Sequence, residues 1–579
     1  MPGHTANLAA REKLEKEPRA ANEGTTGHGA RPGIRRLAHL VSTPNEAPSL
    51  RAGGSMLVLL TLAAGQFLMT LDSSVMNVSI ATVAKDVGTT VTGIQGAITA
   101  YTLVMATLMI TGAKIGAIIG RKRAFAVGCV VYGCGSLTTS LAPSLPVLLL
   151  GWSFLEGVGA ALIMPAIVAL VAGNFAVQRR PAAYGLVAAA GAIAVALGPL
   201  IGGFFTTYFS WRWVFAGEVL IVLIILLFTR RIADAPAEEP PQLDVVGAVL
   251  SAIGLGMIVF GVLRSGEWGW IHPLPEAPSW AGLSPTVWLV IGGLFVVWVF
   301  FRWEARRDAH GEEPLVRPAM LRIRQLSGGL IMFFFQYLVQ AGLFFVVPLF
   351  LSVCLGLSAL QTGARLLPLS LTLLLASLGI PRLFPDVSPR LVVRSGVLSL
   401  LAGTVVLLGA LDVDAGPEVV FVPMLLIGLG IGALASQLGS VTVSAVPDED
   451  SPEVGGVQNT ATNLGASFGT ALAGSIMIAA VASSFLANIQ ESPAIPSSVK
   501  SQAEVELAGG VAFISDADLE AALDEANVDP ATSDAALEAY GEARIDGLRA
   551  ALAILAVLAL SALFFAQRIP TTQPGTKER

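Results

Sequence analysis

Fourteen long apolar runs constrain the fold of this chain more than any other feature of its sequence. A helix rises about 1.5 Å per residue, so roughly 17–25 apolar residues cross the ~30 Å hydrocarbon layer of a bilayer. The runs, most of them about this long, lie near residues 56–80, 93–116, 123–142, 146–174, 182–206, 213–230, 244–264, 284–302, 326–351, 360–381, 391–411, 418–440, 456–486 and 547–567. Hydrophobic residues form 54% of the chain and charged residues 13%, which leaves more apolar surface than a water-soluble fold can bury. We therefore predict an all-α polytopic membrane protein with about fourteen transmembrane helices.

Positive charge alternates between the connecting loops. Lys and Arg cluster after the second, fourth, sixth, eighth and tenth runs, as Arg121-Lys122-Arg123, Arg179-Arg180, Arg230-Arg231, the segment 302–324, and Arg382 with Arg390. Because basic loops face the cytoplasm, the pattern predicts a multi-pass protein of the cell membrane with both termini cytoplasmic. It places the acidic loop 487–544 outside. The acidic segment Pro447-Asp448-Glu449-Asp450, which is cytoplasmic by parity, departs from this pattern.

The runs divide into two sets of six and an inserted pair. Residues 1–54 are polar and show no cleavable signal peptide, which predicts a disordered cytoplasmic tail. The predicted units that follow are a six-helix bundle at 55–232, a linker with two inserted helices at 233–325, a second six-helix bundle at 326–568 that includes loop 487–544, and a cytoplasmic tail at 569–579. Two parallel bundles with a site between them at the midplane are a recurring plan of transporters. The helical stretch within the acidic loop fits either a hairpin cap over the outer face or a solvated connector.

Three acidic residues, Asp72, Glu156 and Glu218, lie inside the predicted spans. Charges are costly in a bilayer, so each of them is a functional candidate by default. A carboxyl that can be neutral or charged within a cavity can exchange a proton for a cationic or polar substrate. The alternative for Asp72 and Glu156 is a packing hydrogen bond to a neighbouring span, and for Glu218 it is an ion pair with Arg212.

Other polar side chains in the spans are candidates for the wall of a cavity. They are Asn77, Gln336, Gln340, Asn459, Asn463 and Arg365. The two glutamines lie one turn apart in the ninth span and the last two asparagines one turn apart in the thirteenth, so each pair shares one helix face. These pairs either line a cavity or bond between helices. The arginine, at the start of the tenth span, either reaches the interface or pairs with a buried acid.

The fifth span is rich in small residues. It contains Gly185, Gly198, Pro199, Gly202 and Gly203. The glycines form a flat face for close helix packing, and the proline, which donates no hydrogen bond, bends the helix. A smooth, bent helix suits a rocking movement between two bundles.

Several classes of protein are excluded by what the sequence contains. The three cysteines, Cys129, Cys134 and Cys354, form no CxxC pair and read as small buried side chains, and the five histidines lie in the tail or in loops. This predicts no metal site, no cofactor and no enzymatic activity. A net charge of −6 without a basic patch predicts no nucleic-acid partner.

These motifs resemble those of the major facilitator superfamily, and within it the fourteen-span drug:proton antiporter group, over residues 56–568. The segment 71–78, Leu-Asp-Ser-Ser-Val-Met-Asn-Val, is similar to the span-one motif LDxTVxNVA, and the glycines of span five are similar to the antiporter motif G(x)8G(x)3GP(x)2GG. Trp211-Arg212-Trp213 resembles the start of span six. Gly120, Arg121 and Lys122 match the end of the loop motif GxLADRxGRKR, which is tied in the family to a cytoplasmic gate. The resemblance implies a major facilitator fold of two six-helix bundles plus two inserted helices, with Asp72 in substrate and proton handling.

The departures from the family pattern concern charge. Ala117 stands at the aspartate of the loop motif, so the resemblance implies a gate held in another way. In the span-four motif RxxQG, Ser153 stands at the arginine that is usually assigned to proton transfer, and Glu156 stands at the glutamine. Glu218 stands at the asparagine of the usual Asn-Val-Pro in span six. We infer a branch with its own acidic set of Asp72, Glu156 and Glu218.

The sequence therefore predicts a secondary active multidrug efflux transporter. It exchanges protons for lipophilic or cationic small molecules by alternating access, with the proton gradient in place of a cofactor, and a monomer is expected. An exporter of a lipid or secondary metabolite, or a proton-independent facilitator, is the alternative among transporters. A non-transporting membrane receptor or scaffold on the same fold is the alternative from another class.

Overall fold

The structure is a computed structural model that describes residues 52–175, 180–234, 242–274, 277–447, 451–493, 495–497, 500, 511–526 and 528–573. Most of the predicted tail 1–54, the acidic residues 448–450 and the last six residues lie outside this described part. Within it, the secondary structure is helical and contains no β-strand.

Fifteen helices carry the fold, and fourteen of them correspond to the predicted spans. They are α1 (Ala52–Asp86), α2 (Val91–Ile119), α3 (Arg121–Ser140), α4 (Leu145–Asn174), α5 (Arg180–Tyr208), α6 (Arg212–Thr229), α7 (Val245–Trp268), α8 (Pro285–Ala309), α9 (Arg324–Leu349), α10 (Ala359–Leu383), α11 (Pro389–Ala410), α12 (Phe421–Val443), α13 (Ser451–Glu491), the short α14 (Asp516–Glu525) and α15 (Pro530–Phe565). The predicted all-α fold with about fourteen membrane helices is confirmed.

Thirteen of the described helices are long and apolar enough to cross a membrane. The remaining predicted span, α3, has 20 residues and is less apolar than the others. Three basic residues at its beginning and several Gly, Ser and Thr residues lower its mean hydropathy. It nevertheless packs along α4 and α6. Its buried hydroxyl side chains, such as Ser136 and Thr139, contribute to the site described below.

Helix contacts in the first six spans recur in the last six. The pairs α1–α5, α2–α4, α3–α4 and α3–α6 have counterparts in α9–α13, α10–α12, α11–α12 and α11–α15. The two most extensive contacts between the halves are those of α2 with α13 and of α5 with α10, and these two pairs correspond to each other under the same repeat. The pair α7–α8 packs against α2 and α13 at the edge of the first junction. This arrangement is a parallel repeat with an inserted pair, although the exact domain boundaries stay a prediction.

The acidic loop is partly anchored. The Ile514 N–H donates to the Tyr540 hydroxyl at 3.0 Å, and Arg544 donates to the Ile514 carbonyl at 3.0 Å. Phe513 between them is buried. The helix α14 itself buries no residue. The described part of the loop therefore combines the two alternatives left open by the sequence, a docked segment followed by a solvated helix.

Candidate functional site

The three acidic residues of the spans converge inside the first half. Asp72 lies on α1, Glu156 on α4 and Glu218 on α6, and their exposed fractions are 0%, 0% and 1%. One carboxylate oxygen of each lies within 4.8 Å of the others. We call these residues the carboxyl cluster. They are the group of described residues whose ligand atoms come close enough together to hold a cation.

Close packing of α3 against α4 positions Glu156. The segment Leu149–Glu156 is π-helical, a widened turn that often occurs at functional sites. A Cβ atom at Gly135 of α3 would lie 2.6 Å from the Cγ of Glu156 and 2.8 Å from its backbone N. A Cβ at Gly151 would lie 2.7 Å from the Thr139 hydroxyl. Only glycine at these two positions lets the helices approach closely enough for Glu156 to reach the side chains of α3.

Asp72 is held by a tryptophan that the sequence analysis did not single out. The Trp152 indole N–H donates to both carboxylate oxygens of Asp72, at 2.8 and 3.0 Å. The indole stacks on the Tyr101 ring at 5.1 Å between centroids. Trp152 is 1% exposed, whereas tryptophan in membrane proteins is enriched at the interfaces. Its position four residues before Glu156 in an apolar run was the available signal.

Hydroxyl groups of α3 bind the two glutamates. Thr139 is hydrogen-bonded to Glu156 Oε1 at 3.1 Å, and Ser136 to Glu218 Oε2 at 3.1 Å. The Tyr132 hydroxyl donates to the same oxygen of Glu218 at 3.3 Å. Glu156 Oε2 and Glu218 Oε1 are buried without a hydrogen-bond partner among the described residues. The interhelical hydrogen bonds allowed by the sequence are therefore present, but they satisfy only half of each carboxyl.

Electrostatics limits how many of these acids carry charge. Two carboxylates about 4.8 Å apart repel by roughly 3 kcal/mol at an effective dielectric constant of ~20, and each also loses its hydration on burial. The carboxyls accept hydrogen bonds from neutral groups, and no Lys, Arg or His is bonded to them in the part of the chain described. Protons or a bound cation are needed to neutralise such a set.

The ion pair considered between Glu218 and Arg212 does not form. Arg212 instead pairs with Asp86 at the end of α1, at 2.9 Å, and lies over the Trp211 ring at 4.4 Å. Trp211 also donates to Asp86 at 2.9 Å. Arg212 therefore fixes the ends of α1 and α6, and Glu218 keeps no cationic partner.

A narrow cleft lies between the halves, next to the α5–α10 contact. Its lining is Ser74, Asn77, Val78, Val195, Pro199, Phe344, Pro348, Leu366, Leu369 and Ser370. Of the predicted cavity residues, Asn77 is among these. On α1, Ser74 and Asn77 lie about 200° and 140° around the helix from Asp72 at 100° per residue. The cleft and the carboxyl cluster are thus on opposite faces of α1.

The other predicted cavity residues belong to the second half. The side-chain oxygens of Gln336 and Gln340 on α9 are buried without a hydrogen-bond partner in the described structure. Asn463 donates to the Asn459 carbonyl of its own helix at 2.9 Å, so this pair does not bond between helices. Arg365 is exposed, which agrees with a side chain that reaches the interface rather than a buried acid.

The small residues of α5 make the closest contacts between helices. A Cβ at Gly198 would lie 2.3 Å from Ser74 Cβ, and one at Gly202 2.9 Å from the Val75 Cα, both on α1. A Cβ at Gly203 would lie 2.6 Å from the Ala359 carbonyl of α10. From the other side, a Cβ at Gly363 of α10 would lie 2.2 Å from the Pro199 carbonyl. Gly185 differs, because a Cβ there would meet no atom within 4 Å, so close packing does not require glycine at that position.

The basic loop between α2 and α3 is tied to the end of α6. Gly120 has φ +100° and faces the Asp234 carboxylate, to which the Lys122 N–H donates at 3.2 Å. The Lys122 ammonium donates to the Arg230 carbonyl at 3.3 Å, and Arg121 donates to the Ala113 carbonyl at 3.4 Å. These contacts stay within the first half. Asp234, which lies outside the motif, is the residue that the sequence analysis missed here.

Two other sequence features are settled by their surroundings. Ser153, at the position of the family's arginine, donates to the Ala97 carbonyl at 2.8 Å and is buried, so it serves helix packing. The expectation that all three cysteines are buried is confirmed for Cys129 and wrong for Cys134, which is exposed, while Cys354 is only partly buried.

Comparisons with known proteins agree with this architecture. The family model of the Major Facilitator Superfamily matches residues 62–470. The puromycin resistance protein pur8 of Streptomyces alboniger is 31% identical over 443 residues, which cover 75% of this chain and 84% of that protein. The cephamycin export protein CmcT of Amycolatopsis lactamdurans is 29% identical over 428 residues, covering 72% and 83%. A solved bacterial homolog of the human lysosomal transporter Spinster, inward-facing and unoccupied, shares the fold with a TM-score of 0.55 at 15% identity, over 90% of this chain and 98% of that one.

Proposed function

This chain belongs to the major facilitator superfamily, whose members are membrane transporters and not enzymes, and we propose that it exports small molecules in exchange for protons. The observation that carries the proposal is the carboxyl cluster, which places three acids in a buried position with no Lys, Arg or His bonded to them in the described structure. Such a group binds protons when they are offered and releases them when access changes to the other side. The proton gradient then supplies the energy for export.

We propose a hydrophobic or cationic substrate, and the lining of the cleft between the halves supports its hydrophobic character. The lining is mostly apolar, and its polar groups are the hydroxyls of Ser74 and Ser370 and the amide of Asn77. Pockets of this kind bind apolar molecules and select them by a few polar contacts. The unpaired oxygens of Gln336 and Gln340 are further acceptors for a substrate in the second half. The relatives include proteins named for puromycin resistance and cephamycin export, which favours a drug or a secondary metabolite as the substrate class.

The two most extensive junctions of the halves support a mechanism of alternating access. The helices α5 and α10 meet through Gly203 and Gly363, and α2 meets α13, where Gln95 donates to the Thr470 and Ala471 carbonyls at 3.1 and 3.2 Å. We propose that rocking about these junctions exposes the cleft to one side and then to the other. With the basic loops in the cytoplasm, both termini are cytoplasmic and export runs toward the face that bears the acidic loop.

The test is pH-gradient-driven efflux of a lipophilic cation from proteoliposomes that contain the purified protein. We expect efflux that collapses when the gradient is dissipated, and at least a tenfold loss of gradient-driven efflux in both Asp72→Asn and Glu156→Gln. The conservative control is Thr229→Val on α6, which removes a buried hydroxyl bonded only to the Ile225 carbonyl at 2.8 Å. If both cluster variants retain proton-coupled efflux, the acid relay is excluded. Efflux without any dependence on the gradient favours the facilitator instead.

A further inference from the structure

The three acids of the carboxyl cluster differ in the chemistry of their hydrogen-bond partners. An indole N–H donates a hydrogen bond and accepts none. The Trp152 N–H points at both oxygens of Asp72, so it stabilises the ionised carboxylate and offers nothing to a proton on Asp72. The Tyr101 ring stacks on this indole, and its hydroxyl lies beside Asp72, where an O–H donated to the carboxylate also stabilises the ionised form.

The hydroxyl groups bonded to the two glutamates can both donate and accept a hydrogen bond. A hydroxyl has one hydrogen to donate and two lone pairs to accept with. Thr139 Oγ1 lies 2.9 Å from the Gly135 carbonyl as well as 3.1 Å from Glu156 Oε1. When Glu156 is ionised, the hydroxyl hydrogen points at the carboxylate. When Glu156 is protonated, its own O–H donates to Thr139 Oγ1, and the threonine hydrogen turns to the Gly135 carbonyl.

The same geometry occurs one turn earlier on α3. Ser136 Oγ lies 3.2 Å from the Tyr132 carbonyl and 3.1 Å from Glu218 Oε2. Both hydroxyls therefore satisfy a glutamate in either protonation state by rotating one O–H bond. Each glutamate also has a second oxygen, Glu156 Oε2 or Glu218 Oε1, that is buried and receives no hydrogen bond, which disfavours the charged form.

Among the described residues, no further charged group acts on the glutamates to change this balance. The titratable groups that act on the glutamates are Asp72 on α1, the two glutamates themselves on α4 and α6, and the phenols of Tyr101 on α2 and Tyr132 on α3. The packing around the cluster thus leaves one fixed acceptor and two switchable sites.

We infer that Glu156 and Glu218 carry the exchanging protons while Asp72 stays ionised, and that Thr139 and Ser136 are the positioning residues that let the glutamates change protonation state. This rests on the proposed proton-coupled export, and it assigns the proton to other residues than the motif aspartate. On protonation, H⁺ adds to a glutamate carboxylate to give the neutral acid, and its release restores the carboxylate with no other bond changed.

Infrared difference spectroscopy tests the assignment without any need for transport. The purified full chain in lipid nanodiscs is stepped between pH values, and the C=O band of protonated carboxyls is followed in H₂O and D₂O. We expect the band to persist in Asp72→Asn, to lose part of its intensity in Glu156→Gln and in Glu218→Gln, and to lose both components in the double variant, which keeps only the contribution of other carboxyls such as the buried Glu304. Loss of the glutamate components in Asp72→Asn, or an undiminished band in the double variant, overturns the assignment.

The hydroxyls are tested by the midpoint of the same titration. In Thr139→Val, the ionised glutamate loses a stronger hydrogen bond than the neutral acid does, so we expect about tenfold higher proton affinity, a midpoint about one pH unit higher. Ser136→Ala shifts the Glu218 component in the same direction, and Thr139→Ser restores the original midpoint. Thr229→Val is the matched control and leaves the midpoint unchanged. An unshifted midpoint in both Thr139→Val and Ser136→Ala overturns the switch, because a purely structural hydroxyl would lower stability and leave the midpoint in place.

The two proposals fail in distinguishable ways. If the glutamate variants change the infrared band as expected but efflux is independent of the pH gradient, the assignment of the proton sites is supported and the antiport function is refuted. If efflux is coupled but the band belongs to Asp72, the export function stands and the assignment of the proton is overturned.

Discussion

A single methyl group added at Gly135 tests whether the carboxyl cluster depends on the close approach of α3 and α4. The new Cβ would lie 2.6 Å from Glu156 Cγ, 2.8 Å from Glu156 N and 2.8 Å from the Gly151 carbonyl oxygen. Two of these atoms belong to the backbone, so no rotamer change relieves the contact. Ordinary contact at 3.4 Å requires the helices to separate by about 0.6 Å. The same displacement stretches the 3.1 Å bond from Thr139 to Glu156 to about 3.7 Å, beyond hydrogen-bonding range.

The matched control is Gly185→Ala on α5, where a Cβ meets nothing within 4 Å. Both substitutions give the same gain of helix propensity, about 0.5–1 kcal/mol, so their difference isolates the overpacking. We expect Gly135→Ala to be about 1–3 kcal/mol less stable than Gly185→Ala. The measurement is denaturant unfolding in detergent, followed by gradient-driven efflux in proteoliposomes. Efflux should be strongly reduced only in Gly135→Ala. Equal stability and equal efflux for the two variants would refute the argument that glycine sets the position of Glu156.

Three further perturbations follow from the contacts of the site. Trp152→Phe keeps an aromatic ring but removes the N–H that donates to Asp72, which costs about 1.5–3 kcal/mol of carboxylate stabilisation. The pH profile of efflux should therefore change while expression is kept, and an unchanged profile would show that the indole acts by shape alone. Gly363→Ala places a methyl group 2.2 Å from the Pro199 carbonyl oxygen, so α5 and α10 should move apart. A cysteine introduced in the cleft should then react faster with a thiol reagent, and an unchanged rate would contradict the idea that the α5–α10 contact closes the cleft. Asn77→Ala removes the amide of the cleft and should raise KM several-fold with little change in maximal rate, whereas a loss confined to the maximal rate would place the substrate elsewhere.

The fold could be read from the sequence because each span is a local feature. A run of apolar residues specifies a membrane helix regardless of its neighbours, and all fourteen runs coincide with helices. The ends of the helices were harder to predict, because α13 and α15 continue beyond their apolar runs. Residues in these extensions, such as Tyr540, pack on other helices rather than on lipid. Hydropathy does not distinguish these two environments.

The sequence predicted the acids of the site but not their hydrogen-bond partners, and the difference has a chemical reason. Asp72, Glu156 and Glu218 could be found because a carboxyl in a bilayer is conspicuous in any sequence. Thr139 and Ser136 could not, since hydroxyls are common in membrane helices and most of them bond to the preceding turn, as both of these also do. Their role depends on a second partner contributed by another helix, and that information lies in the packing of α3 and not in its composition.

The ion pair of Arg212 also could not be predicted from the sequence. Its sequence neighbour Glu218 was the obvious partner, six residues away on one helix. Six residues place the two side chains about 120° apart around α6, so they point in different directions. The actual partner, Asp86, lies at the other end of a different span. Sequence proximity within a helix therefore misassigns a charge when the angle is not considered.

The helix α1 gives the site its geometry for coupling. Asp72 points into the first half, toward Trp152, while Asn77 points into the cleft between the halves. In the proposed mechanism, protons on Glu156 and Glu218 and a substrate in the cleft would therefore not compete for the same atoms. Asp72, which lies within 4.8 Å of both glutamates, and Asn77 lie on opposite faces of α1, and α1 packs closely on α5 through Gly198. Because α5 in turn contacts α10 through Gly203, a change at the cluster that shifts α1 must also change the junction of the halves.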